Sequence, residues 1–166
     1  MAETIARGIT VHTAGELPTV GSTLPPFELT VAGLEELDSA TLAGSRIVLN
    51  IFPSVDTATC AMSVRRFNEL AASLVDTTVV CVSMDLPYAL QRFCGAEGIE
   101  DVVTASAFRS SFGVDYGVQM VDGPMRGLLA RSVVVADTDG TVLHTELVVP
   151  TGGKEPDYDA ALAVLG

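Results

Sequence analysis

The residues best placed to do chemistry in this chain are cysteines. The segment Asn50-Ile-Phe-Pro-Ser-Val-Asp-Thr-Ala-Thr-Cys60 leads from an apolar, strand-like run across a short loop into residues of helical periodicity, which sets Cys60 in the first turn of a helix. Backbone N–H groups at a helix start have no acceptor within the helix, and together with the positive end of the helix dipole they favour a thiolate over a thiol. The thiolate is the nucleophile, so the placement points to covalent sulfur chemistry at Cys60. Two further cysteines follow, Cys81 and Cys94. Cys81 lies inside Thr77-Thr-Val-Val-Cys-Val-Ser, a β-branched run suited to a buried strand, where a thiol packs as a small hydrophobe. No C-x-x-C occurs, and His12 and His144 are far from every cysteine along the chain. A zinc site and a Cys-His hydrolase or transferase therefore both lack local support.

Positioning Cys60 requires a strand, a loop and a helix. Arg46 to Phe52 is nearly all apolar, as a central strand covered on both faces would be, and Pro53 stops it. From Cys60 to Leu74 the residues Met62, Val64, Phe67, Leu70, Ala71 and Leu74 recur at steps that build one buried helix face. Thr77 to Ser83 reads as a second central strand, and Pro87 to Glu97 as a second helix with Pro in its first turn and Gly98 as its stop. Phe27 to Thr30 reads as a half-exposed strand and Phe108 to Phe112 as a short helix. Ser132 to Ala136 and Val142 to Val149 read as partner strands joined at Asp137-Thr-Asp-Gly140, and Asp157 to Leu165 as a closing helix. Residues 1–26 form an extension, in which Ile9-Thr-Val11 and Glu16-Leu17 are expected to pair as a β-hairpin. The pattern predicts an α/β chain of one domain, 1–166, with a central mixed sheet flanked by helices in a thioredoxin-like fold.

Composition narrows the partners. The 166 residues are 48% hydrophobic and carry nine Lys plus Arg against 21 Asp plus Glu, a formal charge of −12. Nucleic acid and anionic lipid surfaces would be repelled by that charge. No stretch approaches the ~20 apolar residues of a membrane span, and no signal-peptide core follows Met1. An odd count of three cysteines suits reduced thiols better than a disulfide framework, and a cytoplasmic location is expected.

The motifs around Cys60 carry a resemblance. Pro53, Thr57 and Cys60 match the Pro-x-x-x-Thr/Ser-x-x-Cys loop of the peroxiredoxin family. The surrounding Asn-x-Phe-Pro-Ser-Val-Asp-Thr-x-x-Cys, Ser63-x-Arg65, Cys81-Val-Ser-x-Asp-Leu-Pro87, Arg92-Phe-Cys94 and Gly123-Pro-x-x-Gly-Leu-Leu-Ala-Arg131 resemble its bacterial thiol peroxidase branch, of atypical two-cysteine type. Ala58 departs from the pattern where proline is frequent, which is expected to alter loop stiffness alone.

The resemblance implies a role for each matched residue. Cys60 would be the peroxidatic thiolate, attacking hydrogen peroxide or an organic hydroperoxide and becoming a sulfenic acid. Thr57 would hold thiolate and peroxide by its hydroxyl, Pro53 would shield the sulfur from water, and Arg131 would supply a fixed cation. Cys94 would resolve the sulfenic acid as an intramolecular disulfide that thioredoxin reduces. Joined cysteines need Cα atoms within ~7 Å and these two sit on different helices, so both turns are expected to unwind locally. A homodimer is implied, and no cofactor, because sulfur carries the two electrons. The reading of a different class is a thioredoxin-like redox sensor or binding module without turnover.

Overall fold

The computed structural model describes residues 1 to 166. Its nine strands are β1 Glu3–Ala6, β2 Ile9–His12, β3 Glu28–Thr30, β4 Glu36–Asp38, β5 Arg46–Ile51, β6 Thr77–Ser83, β7 Val103–Ser106, β8 Ser132–Ala136 and β9 Val142–Leu147. The α-helices are α1 Ala58–Ala71, α2 Pro87–Glu97, α3 Phe112–Asp115 and α4 Tyr158–Ala163. Strands β3 to β9 form one seven-stranded sheet in the order β4-β3-β7-β6-β5-β8-β9. β5, β6 and β7 are parallel, whereas β8, β9, β3 and β4 each join antiparallel to their neighbours. This is the mixed, helix-flanked sheet of a thioredoxin-like fold.

β5 runs through the middle of that sheet, and its alternation divides the core. Ile47, Leu49 and Ile51 point to a layer that includes Phe27, Leu29, Phe112, Tyr116 and Val134. Val48 points the other way, to a layer that holds Cys60, Val64, Phe67, Leu90 and Ala161 beneath α1, α2 and α4. Both faces of β5 are covered, which is why its sequence is continuously apolar instead of alternating. Asn50 interrupts the run and faces the helix side, where its Nδ2 donates to Ser63 Oγ at 3.2 Å and reaches Cys81 Sγ at 3.6 Å.

The N-terminal hairpin differs from the sequence expectation. β1 pairs with β2 from Glu3↔His12 to Ala6↔Ile9, so Ile9–Val11 is the second strand and Glu16-Leu17 takes no part. The turn is Arg7-Gly8, with φ of 52° and 79°, the positive values a two-residue hairpin loop needs. Gly8 alone signals such a turn weakly, since Arg rarely takes that conformation. The hairpin is fastened to the body at several points. Thr4 Oγ1 donates to Val148 O, Thr151 N–H donates to Ile5 O, and Val121 N–H donates to His12 O. His12 also sits 2.7 Å from Asp122 and 3.3 Å from Glu3; the hydrogen bond with Asp122, aided by both carboxylate charges, raises its pKa. Gly123 follows with φ of 75°, and a Cβ there would lie 2.5 Å from Val11 Cγ1, so the close approach of hairpin and loop requires glycine.

Three further corrections concern short elements. β4 and β7 were not expected. Both are three or four residues long with little pattern of their own, and they exist because β3 and β6 supply backbone partners. The helix expected over Phe108–Phe112 instead starts at Phe112. Ser106 Oγ and Ser110 Oγ accept from the N–H groups of Phe108 and Phe112, holding the intervening residues in turns that compete with a helix.

Candidate active site

β5 ends at Ile51, and the following loop rises over the sheet edge before α1 begins at Ala58. Asp85, just past β6, anchors that loop. Its carboxylate accepts from Ser54 Oγ at 2.7 Å, from the Val55 N–H at 2.9 Å and from Ser83 Oγ at 2.6 Å. Thr57 is the N-cap residue, with extended backbone, and its hydroxyl donates to Ser54 O at 3.1 Å. Ala58 is the first helical residue, the place where a proline would be most at home. Cys60 then lies in the first turn, fully buried.

Arg131, the residue before β8, reaches across to this turn. Its Nη2 donates to Cys60 Sγ at 3.1 Å, its Nε donates to Thr151 O at 3.0 Å, and its backbone N–H donates to Thr151 Oγ1 at 2.7 Å. The guanidinium is 1% exposed and has no carboxylate partner. A buried cation needs an anion or hydrogen bonds to offset lost hydration. The sulfur of Cys60 is the group at hand that can provide negative charge. Arg131 Nη1 is buried and unpartnered, a donor left free beside the sulfur.

Pro53, Thr57, Arg131 and Thr151 line a pocket of about 340 Å³ at this point, together with Met125 and with Arg7 from the hairpin turn. Four residues expected from sequence thus come together: Cys60, Arg131, Thr57 and the buried Pro53. Thr57 makes no bond to Cys60; its one hydroxyl proton goes to Ser54 O. Thr151, Asp85, Asn50 and Arg7 were not anticipated. Asp85 stood inside the quoted motif without a role, whereas nothing along the chain linked Thr151 or Arg7 to Cys60.

Cys94 is elsewhere. It occupies the last turn of α2, half-buried, with Sγ 3.3 Å from Thr104 Oγ1 on β7. At about 4.8 Å per strand, roughly 10 Å of sheet separates β7 from β5. All three cysteines are free thiols. Cys81 is buried on β6 opposite Thr104, and burial pushes its thiol up to about 12 against a smaller opposing effect of the Asn50 hydrogen bond. It is a neutral packing group. Arg65, Arg66 and Arg92 pair with Glu97, Glu69 and Asp56 on the surface and do not contact Cys60. No group of three or more His, Cys, Asp or Glu side chains is arranged to hold a metal ion.

A buried thiol in the first turn of a helix after the central strand of a thioredoxin-like sheet, with an arginine on its sulfur, defines a class of thiol-chemistry proteins. A sequence model of the Redoxin family matches residues 19–162. Over 166 residues the chain is 57% identical to the thiol peroxidase of Mycobacterium tuberculosis, covering 100% of this chain and 99% of that one. Identity to the thiol peroxidase of Corynebacterium glutamicum is 56% over 165 residues, 99% of each chain. Among solved structures, a peroxiredoxin-like protein from Aquifex aeolicus superposes with a TM-score of 0.92 at 32% identity, covering 98% of this chain and 95% of that one. A thiol peroxidase from Chromobacterium violaceum shares the fold with a TM-score of 0.90 at 21% identity, over 98% and 95% of the two chains. The chain belongs to the redoxin family and, within it, to the thiol peroxidases.

Proposed function

We propose that this protein reduces hydrogen peroxide and organic hydroperoxides through Cys60, with Cys94 as the resolving thiol and thioredoxin as the reductant. The observation that carries the reading is the contact of Arg131 Nη2 with Cys60 Sγ at 3.1 Å, beside a second guanidinium nitrogen that is buried and free. One arm of the cation donates to the Cys60 sulfur, and the other has no protein partner to compete with the peroxide. The thiolate attacks one peroxide oxygen, the O–O bond breaks, and its electron pair leaves with the second oxygen, which takes a proton to become water or an alcohol. Negative charge grows on that departing oxygen, where a preorganised donor contributes most. Pro53 excludes water from the sulfur. The hydroxyl of Thr57, at the pocket wall, accepts from the peroxide and re-aims its own proton toward the sulfur.

Cys60 is left as a sulfenic acid. The thiolate of Cys94 then attacks that sulfur, the S–O bond breaks and water departs, giving a Cys60–Cys94 disulfide that a dithiol reduces by exchange. Bonding needs Cα atoms within ~7 Å, so the first turn of α1 and the last turn of α2 must open. Gly95 within α2 and Gly98 after it lower the cost of opening the second of these.

We also propose that the whole chain acts as one domain and pairs with a second copy. Leu86, Tyr88 and Phe108 are 53%, 66% and 36% exposed, and all follow the C-terminal ends of β6 and β7, on the same sheet edge as the Pro53 loop. An apolar edge of this kind suits a self-complementary interface, and Tyr88→Glu should shift the mass measured by light scattering from dimer to monomer. An odd count of three cysteines suits a reducing, cytoplasmic site of action. The deciding assay is peroxide-dependent oxidation of reduced thioredoxin at catalytic protein concentration. Many turnovers per chain are expected; a single stoichiometric oxidation would instead mean a sensor.

A further inference from the structure

The pocket beside the Pro53 loop and Arg131 is larger than hydrogen peroxide needs. A water molecule takes about 30 Å³ of liquid volume and hydrogen peroxide, with one oxygen more, less than twice that, so most of the roughly 340 Å³ would lie beyond its contacts. Its chemistry is also unlike the rest of the molecule. The chain has 21 acidic residues and nine cations, yet none of the ten residues lining this pocket is acidic and two are arginines, Arg7 and Arg131. Arg131 is occupied with Cys60 and Thr151. Arg7 is not. Arg65, Arg66, Arg92 and Arg109 each pair with a carboxylate, whereas Arg7 pairs with none.

Arg7 is, in addition, held where an arginine is disfavoured. It has φ of 52° at the first position of the β1–β2 turn, a conformation in which a bulky L-residue costs about 1 kcal/mol and for which Asn or Gly is the ordinary choice. The turn is anchored through the Thr151 N–H to Ile5 O bond, and Thr151 is the residue that also orients Arg131. Arg131 is therefore tied to Thr151 directly and Arg7 through the hairpin that carries it. Met125, an unbranched, polarizable side chain that adapts to an apolar body, lines the same pocket.

We propose that Arg7 is a specificity-determining residue that binds the anionic end of an organic hydroperoxide carrying a carboxylate, while the peroxide end of the same molecule lies at Cys60 and Arg131. The assignment rests on the peroxidase reading above and names the substrate class of that site. The carboxylate accepts from the Arg7 guanidinium, the carbon body lies along Met125 and Pro53, and the O–O bond faces the free Nη1 of Arg131.

The test compares kcat/KM for a medium-chain hydroperoxy carboxylic acid with that for its methyl ester, which differ in charge and hardly in shape. Wild-type protein should favour the acid by about tenfold, the scale of one hydrogen-bonded charge pair at a partly open site, and less so at high salt. Arg7→Asn keeps a residue suited to the turn, and it should bring the ratio of acid to ester close to one. Arg7→Lys should retain most of the preference. Equal rates for acid and ester in the wild type would overturn the proposal, as would an Arg7→Asn variant that slows both by the same factor. Turnover of hydrogen peroxide by the wild type in the same assay checks the peroxidase reading separately, because that substrate has no carboxylate to bind.

Discussion

The first turn of α1 and the last turn of α2 each present a cysteine, and their surroundings differ in every respect that matters to sulfur. Cys60 is fully buried at a helix start, against a buried arginine. Cys94 is half-buried at a helix end, against a threonine hydroxyl. The carbonyl of Cys94 accepts from Gly98 and Ile99, closing a helix that Gly95 weakens from within. In the proposed cycle one turn holds the attacking sulfur in place and the other comes apart. A thiol that reacts first needs a fixed field, whereas one that reacts second needs freedom to travel.

The sharpest way to break this comparison is Cys60→Ser. A hydroxyl supplies almost no anion near neutral pH, so peroxide consumption should fall below detection, and retained turnover would move the reaction to another residue. Cys94→Ser should preserve the first attack, seen as one equivalent of sulfenic acid by mass spectrometry, while thioredoxin-linked cycling is lost and further oxidation of Cys60 accumulates. A Cys60–Cys81 disulfide in the wild type would overturn the division of labour. Arg131→Ala should slow attack by about 10²-fold, the scale for loss of one preorganised donor at a developing oxyanion. If the attack rate measured by stopped flow is unchanged, Arg131 serves packing alone.

A smaller effect sharpens the other half. A Cβ on Gly95 would meet nothing within 4 Å, so Gly95→Ala adds no clash and stiffens α2 by about 1 kcal/mol. Disulfide formation after one equivalent of peroxide should slow by up to about fivefold in rapid-quench experiments, with the attack rate unaltered. The smallest effect in the working pH range belongs to Cys81. Its thiol is pushed from 9.0 to about 12 by burial, so the folded state keeps it neutral. That contribution is whole below pH 9 and is lost above it, as the unfolded chain ionises first, at about 1.4 kcal/mol per pH unit up to about 12. Urea unfolding between pH 8 and 10.5 should show the decline, and Cys81→Val should make it shallower. Tyr116 and Tyr158, whose pKa values are also raised chiefly by burial, add to the loss at higher pH.

Local pattern was enough wherever a residue's role depended on its immediate neighbours. The two central strands, the helices opening near Cys60 and at Pro87, the stop at Gly98 and the thioredoxin-like class could be read in this way, because apolar periodicity, proline and glycine act over a few residues. The loop from Pro53 to Cys60 was legible too, since its residues are contiguous. The helix over Phe108–Phe112 was misread for the complementary reason: serine side chains compete with the helix for backbone groups, and nothing in the apolar spacing reports that.

What the sequence by itself determined is therefore the scaffold of β5, α1, β6 and α2, and the placement of Cys60 at a helix start. Only the tertiary structure decided how Arg131 is aimed, because its direction comes from Thr151, twenty residues along the chain and itself held by the hairpin. It alone decided that β1 pairs with β2, that β7 is a strand, and that Arg7 faces the same pocket as Pro53 and Thr57. Each of these depends on backbone partners or charges distant along the chain, and a pairing across such a distance leaves no periodic trace in either of the segments that make it.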